Sequence, residues 1–75
     1  MARIKNWKLI DKTEELSFWK HVNKEYYILI ERKRKFWTVK KIIGDSVYSL
    51  RTFIRNRKSA ENFAMEYMKK HSHIN

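Results

Sequence analysis

The sequence predicts an α+β domain in which an antiparallel sheet of three to four strands packs on one C-terminal helix, in the order ββββα. Two observations lead to this fold. Aromatic and β-branched residues concentrate in short runs before residue 55, which is typical of strands. After that point, apolar residues recur at helical spacing. With 75 residues and no cysteine, the chain is expected to form one small domain, residues 1–75, without disulfides.

The strands are predicted from runs of aromatic and β-branched residues bounded by polar turns. The four runs are Leu16–Val22, Tyr26–Glu31, Phe36–Ile43 and Val47–Ile54. In Tyr26–Glu31, the residues that would face each side of the sheet are largely apolar on both sides. This run is therefore expected to form the central strand of the sheet. Trp7–Ile10 is a candidate for a short additional segment at the sheet edge.

The predicted connections are three short polar segments. Asn23-Lys24 follows the first run, and four consecutive cations, residues 32–35, separate the second run from the third. Gly44 is the only glycine of the chain and is followed by Asp45. This pair suits a two-residue hairpin turn with glycine at the position of positive φ.

The C-terminal helix has the clearest pattern. Its apolar positions follow an i, i+3, i+4, i+7, i+8 spacing, which places them on one stripe: Ala60, Phe63, Ala64, Tyr67 and Met68. Asn56 is a suitable N-cap residue. We therefore expect a helix that begins after Asn56 and buries this stripe on the sheet.

The turn at Gly44-Asp45 fixes the register of the last hairpin and sorts its side chains into two faces. The face with Trp37 and Val39 is the more apolar at its centre and is assigned to the helix. The other face is predicted to remain open and to carry cations and hydroxyl groups flanked by two aromatic rings: Lys40, Arg51, Thr38, Ser49, Phe36 and Phe53. Such a mixture suits contacts with phosphates and packing in a groove.

The positive charge is concentrated in one part of the chain. The formal net charge is +10, and residues 31–58 contribute ten basic and two acidic side chains. A concentrated basic segment is the electrostatic signature of a polyanionic partner. The predicted nucleic-acid-binding residues are Arg32, Lys33, Arg34, Lys35, Phe36, Thr38, Lys40, Ser49, Arg51, Arg55 and Arg57.

Part of the chain resembles a known family of DNA-binding domains. The segment Ser49–Ala64, with Thr52-Phe53, Ala60 and Phe63 at matching places, resembles the strand-to-helix segment of the arm-type domains of tyrosine-recombinase integrases. That family lays a three-stranded sheet in the DNA major groove, and the resemblance implies the same role for Lys40 and Arg51. Residues 1–7 also resemble the opening of small uncharacterised archaeal proteins, which implies no mechanism.

The sequence favours binding over catalysis. One glycine cannot form a glycine-rich phosphate loop, and no combination of nucleophile, base and orienting group can be assembled. His71 and His73 have a metal-ligand spacing, but two ligands at a chain end are too few to predict a metal. We therefore expect a protein that is not an enzyme and has no cofactor.

Three functions remain open. The first is binding of duplex DNA, in a chromatin-like or regulatory role, through the basic sheet face and the loop at residues 32–35. The second is an RNA-binding or ribosome-associated role, in which aromatic side chains stack on unpaired bases: Trp19, Tyr27, Phe36 or Trp37. The third is an interaction module for an acidic protein.

The sequence also predicts where the protein is located and whether it has a membrane or a second copy of itself as a partner. No apolar run reaches the ~20 residues that span a bilayer, and no signal peptide is recognised. A cytoplasmic location without a membrane partner is therefore expected, at the nucleoid if the ligand is DNA. An exposed edge strand could pair with a second copy of the chain, which makes a homodimer a further expectation.

Overall fold

The computed structural model describes residues 4–71. Five strands precede one helix: β1 (Trp7–Lys12), β2 (Leu16–His21), β3 (Tyr26–Lys33), β4 (Phe36–Ile43), β5 (Ser46–Ile54) and α1 (Arg57–Lys70). All strand pairs are antiparallel, and the order in the sheet is β1-β2-β3-β4-β5. The predicted α+β class is confirmed, with β3 at the centre.

The predicted count of three to four strands was too low, because the sheet has five. The segment that looked like a short edge is a full strand, β1, which pairs with β2. Trp7 at its start is only 6% exposed. Its ring meets the buried His21 edge-on at 5.1 Å between centroids, so one large aromatic anchors the edge strand to the core.

The turn at Gly44-Asp45 forms as the sequence predicted. Ile43 pairs with Ser46 across it, and Gly44 has a φ of +58°. The basic loop is shorter than expected, because the ladder between β3 and β4 continues to the pair Lys33 and Phe36. Only residues 34 and 35 form the turn, and Arg32 and Lys33 belong to β3.

Strand β5 departs from a regular register twice. The pairing moves from Lys40–Ser49 to Val39–Arg51, and again before Trp37–Ile54. Each shift adds a residue to β5, as in a β-bulge, and redirects the side chains that follow.

The bulges correct the face predicted for Arg51. Its guanidinium carbon lies 5.5 Å from the ring centroid of Phe63 in α1, so this side chain turns towards the helix and not to the open face. Phe53 does point to the open face, as expected. Ile54, the residue that follows, is buried beside the core at 7% exposure.

The helix begins and packs as its sequence pattern predicts. Asn56 is the N-cap, and its Oδ1 accepts a hydrogen bond of 2.8 Å from the backbone N–H of Ser59. Ala60, Ala64 and Met68 are fully buried, while the other stripe residues pack at the margin. The core forms between this stripe and one sheet face, which contributes Trp19, Ile28, Ile30, Trp37 and Val39.

Within residues 4–71, no helix combines the length and the hydropathy that a bilayer crossing requires.

Met68→Ala should test the packing of α1. Met68 is completely buried, so truncation should lower the free energy of unfolding by about 2–5 kcal/mol through loss of burial and formation of a cavity. The measurement is urea denaturation followed by circular dichroism.

Met65→Ala is the matched control, since Met65 lies on the same helix but is only partly buried. Met65→Ala should lower the free energy of unfolding clearly less than Met68→Ala does. If Met68→Ala fails to fold, Met68→Leu should still fold, because a swap that conserves volume costs less than about 1.5 kcal/mol. Equal effects of the two alanine variants would show that Met68 does not anchor the helix.

Candidate nucleic-acid interface

A cavity opens on the sheet face opposite α1, at the end of the β3–β4 hairpin. Its volume is about 500 Å³. It is lined by Lys33, Arg34, Lys35, Phe36, Thr38, Lys40, Thr52 and Phe53. We call it the hairpin cavity. Six of the eight lining residues belong to the predicted binding set, so the fold brings the central part of that set together.

Two aromatic rings form one wall of the hairpin cavity. Phe36 and Phe53 meet edge-to-face, with 5.4 Å between ring centroids and an interplanar angle of 83°. This is a favoured geometry for an aromatic pair. Phe53 is 75% exposed although it is a large apolar residue, and the Nζ of Lys35 lies 5.9 Å from the Phe36 ring centroid. An apolar ring is thus displayed beside cations.

Backbone strain is concentrated at the same cavity. Of the residues that the structure describes, three other than glycine have positive φ, among them Arg34 at 59° and Phe53 at 56°. For bulky side chains this conformation is an outlier, with a cost of about 1–3 kcal/mol at each position. Such strain tends to lie at functional sites, and both of these residues line the hairpin cavity.

Two predicted polar residues of the cavity are already engaged within the sheet. Lys40 Nζ lies 2.9 Å from the Glu31 carboxylate, and this hydrogen bond raises the pKa of Lys40. Thr38 is buried, and its hydroxyl donates to the Glu31 carbonyl oxygen at 3.4 Å. Glu31 therefore offsets the charge of Lys40, and the remaining positive charge of the cavity comes from residues 33–35.

Arg32 and Ser49 do not line the cavity. Arg32 pairs with the buried Trp37, so the alternation of β3 places its side chain on the helix side of the sheet. The Nε of Arg32 donates to the Arg34 carbonyl oxygen at 2.9 Å, which secures the tight turn. Ser49 is exposed and pairs with Lys40 across the β4–β5 ladder. Arg55 is exposed in the link to α1.

Arg57 has a different role from the predicted one. Its Nε donates to Glu61 at 3.0 Å, and its terminal nitrogen donates to the Leu16 carbonyl oxygen at 3.0 Å and to Ser17 Oγ at 2.9 Å. The guanidinium also lies over the Trp37 ring, 5.2 Å from its centroid. These donors fasten α1 to β2 on the helix side of the sheet, so the structure gives Arg57 a structural role away from the hairpin cavity, and a binding role for it stays a prediction.

The aromatic residues proposed for stacking on bases separate into two groups. Trp19 and Trp37 are buried under the helix, at 9% and 8% exposure, and cannot reach a ligand. Phe36 and Tyr27 lie on the open face. The Tyr27 ring stacks on Phe18 at 5.3 Å, and its hydroxyl donates to Glu25, which raises the pKa of Tyr27.

Phe53 was missing from the predicted binding residues. The alternation of side chains, counted from the turn at Gly44, placed Phe53 on the open face opposite Phe36. This alternation was the sequence signal that could have identified Phe53 as a binding residue. Its left-handed backbone could not be derived from the pattern, because it lies in the second bulge of β5.

Within residues 4–71, no cluster of three or more His, Asp or Glu side chains could hold a metal ion. His73, half of the His-x-His pair, and Met1–Arg3 lie outside the described residues.

Comparison with protein-family models gives no match, and comparisons with curated proteins and with solved structures give none either. The similarity to arm-type integrase domains therefore stays a prediction.

The two arginines that flank Asn56 should respond differently to truncation. Arg57→Ala removes the charged donor that bonds Ser17 Oγ, the Leu16 carbonyl oxygen and Glu61, so the free energy of unfolding should fall by about 1–3 kcal/mol. Arg55→Ala removes the same charge from an exposed position and should change it by less than about 0.5 kcal/mol. Urea denaturation of both variants measures the difference, and equal stabilities would contradict the docking role of Arg57.

Proposed function

We propose that the chain is a non-catalytic nucleic-acid-binding protein. The proposal depends chiefly on one observation: three basic residues, Lys33, Arg34 and Lys35, line the same cavity as the exposed ring of Phe53. Cations can contact phosphates and rings can contact bases. A nucleic acid is the ligand class that uses both features together.

The composition of the cavity favours nucleic acid over an acidic protein partner. A protein-docking surface would be expected to show an apolar patch without a ring of cations. Here four basic residues, Lys33, Arg34, Lys35 and Lys40, line the apolar cavity together with the two phenylalanine rings. The net charge of +10 adds a long-range attraction to any polyanion.

Duplex DNA and RNA are both compatible with the cations of the β3–β4 turn. A chromatin-like or regulatory role on duplex DNA, at the nucleoid, is the function that the charge pattern favours. Exposure of Phe53 is the specific observation that favours the second candidate, a ligand with unpaired bases such as RNA.

A homodimer through an edge strand is also proposed. β1 and β5 are the two edges of the sheet, and β5 is exposed along most of its length. The regular part of β5 carries an exposed apolar residue, Val47 at 60%, and unpaired edges favour pairing with another strand. Sedimentation velocity at several protein concentrations would detect the dimer.

Neutralising the β3–β4 turn should weaken binding and reduce its dependence on salt. The variant replaces Lys33, Arg34 and Lys35 with glutamine. Removing one phosphate interaction should flatten the plot of log K against log salt concentration by about 0.9 for duplex DNA or about 0.7 for a single strand. For three such interactions, the slope should change by about two to three units in fluorescence anisotropy titrations.

A charge-matched control replaces Lys58, Lys69 and Lys70, which are exposed on α1, with glutamine. Both triple variants have the same net charge, so a difference between them reports a defined site. Equal weakening of binding in the two variants would show that charge acts diffusely. An affinity of the parent protein for nucleic acid that does not change with salt concentration would contradict the proposed function.

A further inference from the structure

We propose that Phe53 is a stacking platform for an unpaired nucleobase, so that the ligand of the hairpin cavity is a single-stranded nucleic acid. This inference rests on the proposed function and specifies its ligand. It is carried by the conformation and exposure of Phe53, by its contact with Phe36 and by the position of the neighbouring cations.

The conformation of Phe53 is costly and yet does not bury the ring. A φ of 56° disfavours any residue with a Cβ atom, and the ring remains 75% exposed. The fold needs a bulge here to bury Ile54 beside Trp37, but glycine would serve this purpose without strain. A phenylalanine at this position is therefore poorly explained by stability.

The contact with Phe36 leaves a face of the Phe53 ring available. The two rings are nearly perpendicular, at 83°, so they do not cover each other face-to-face as a stacked pair would. Phe36 is itself half-buried in β4 and supports its more exposed neighbour. A planar group can then approach Phe53 from the cavity, whose volume of about 500 Å³ falls in the range of ligand sites.

Cations lie in the same cavity as the exposed ring. Lys33, Arg34 and Lys35 line the cavity together with Phe53, so groups that can contact phosphates are available beside a base stacked on the ring. In a duplex, both faces of each base are covered by stacking, whereas unpaired bases offer a face to aromatic side chains. The combination of an exposed ring and a basic rim therefore selects a single strand.

Phe53→Ala tests the platform, because it removes the ring and leaves the net charge unchanged. The probe is a fluorescent DNA or RNA strand of about 12 nucleotides, a length within the usual site sizes of single-strand-binding folds. We expect the affinity for this strand to fall by about five- to 100-fold, as loss of base–aromatic stacking predicts. The affinities for a duplex and for an abasic strand with the same phosphates should stay unchanged.

Tyr48→Ala is the matched control, since Tyr48 is a half-exposed aromatic on the same strand but on the helix side. It should bind the single strand as the parent does. Phe53→Tyr keeps a ring at the site and should retain the parent affinity. Phe53→Gly should melt at the same temperature as the parent or higher, because glycine adopts this φ freely, while its affinity should fall as far as that of Phe53→Ala.

The outcomes separate the two proposals. If the parent binds the abasic strand as tightly as the intact one, or if Phe53→Ala binds the intact strand normally, the stacking platform is wrong. The proposed function still holds in that case, provided that neutralising the turn weakens binding. A marked preference of the parent for duplex DNA would also overturn the single-strand inference.

Discussion

Only one helix is available to cover a five-stranded sheet. The sheet face that this helix does not cover is the face that a ligand can reach. A helix of fourteen residues is about 21 Å long and 10 Å wide, so it protects one sheet face at most. The overall thickness of 20 Å corresponds to one helix layer on one sheet layer. Arg57 fixes the covered face, since its bonds to Leu16 and Ser17 hold the start of α1 above β2. The opposite face is left for solvent and for partners.

The bulges of β5 adapt this strand to both of its surfaces. Before the bulges, β5 alternates regularly opposite β4. After the first bulge, Arg51 reaches the Phe63 ring, and after the second, Ile54 enters the core beside Trp37. The second bulge also turns Phe53 outwards in a left-handed conformation. The connection that brings the helix back over the sheet is therefore the same feature that displays an aromatic ring on the open face.

The sequence predicted the parts of this fold that depend on local patterns. The Gly44 turn, the register beside it and the apolar stripe of α1 follow from residues close together in the chain. The bulges of β5 could not be predicted in this way, because a strand with one extra residue has the same local β-propensity as a regular one. Packing against β4 and α1 decides where the extra residue is placed. The role of Arg57 was hidden for a similar reason: its partner Ser17 lies 40 residues away, and a basic segment does not reveal which guanidinium groups are used internally.

Arg51 and Arg57 both lie on the helix side of the sheet, so fewer cations remain on the open face than the sequence predicted. A broad basic face would attract any polyanion through forces that salt screens over about 10 Å at 0.1 M. In this fold, the cations of the cavity other than Lys40 lie at the end of the β3–β4 hairpin, next to an aromatic pair. Attraction to phosphates acts at long range and weakens with salt, whereas stacking acts only in contact and does not depend on screening. Under the proposed function, the cations at the end of this hairpin attract the nucleic acid, and the exposed ring of Phe53 distinguishes its unpaired bases from a duplex.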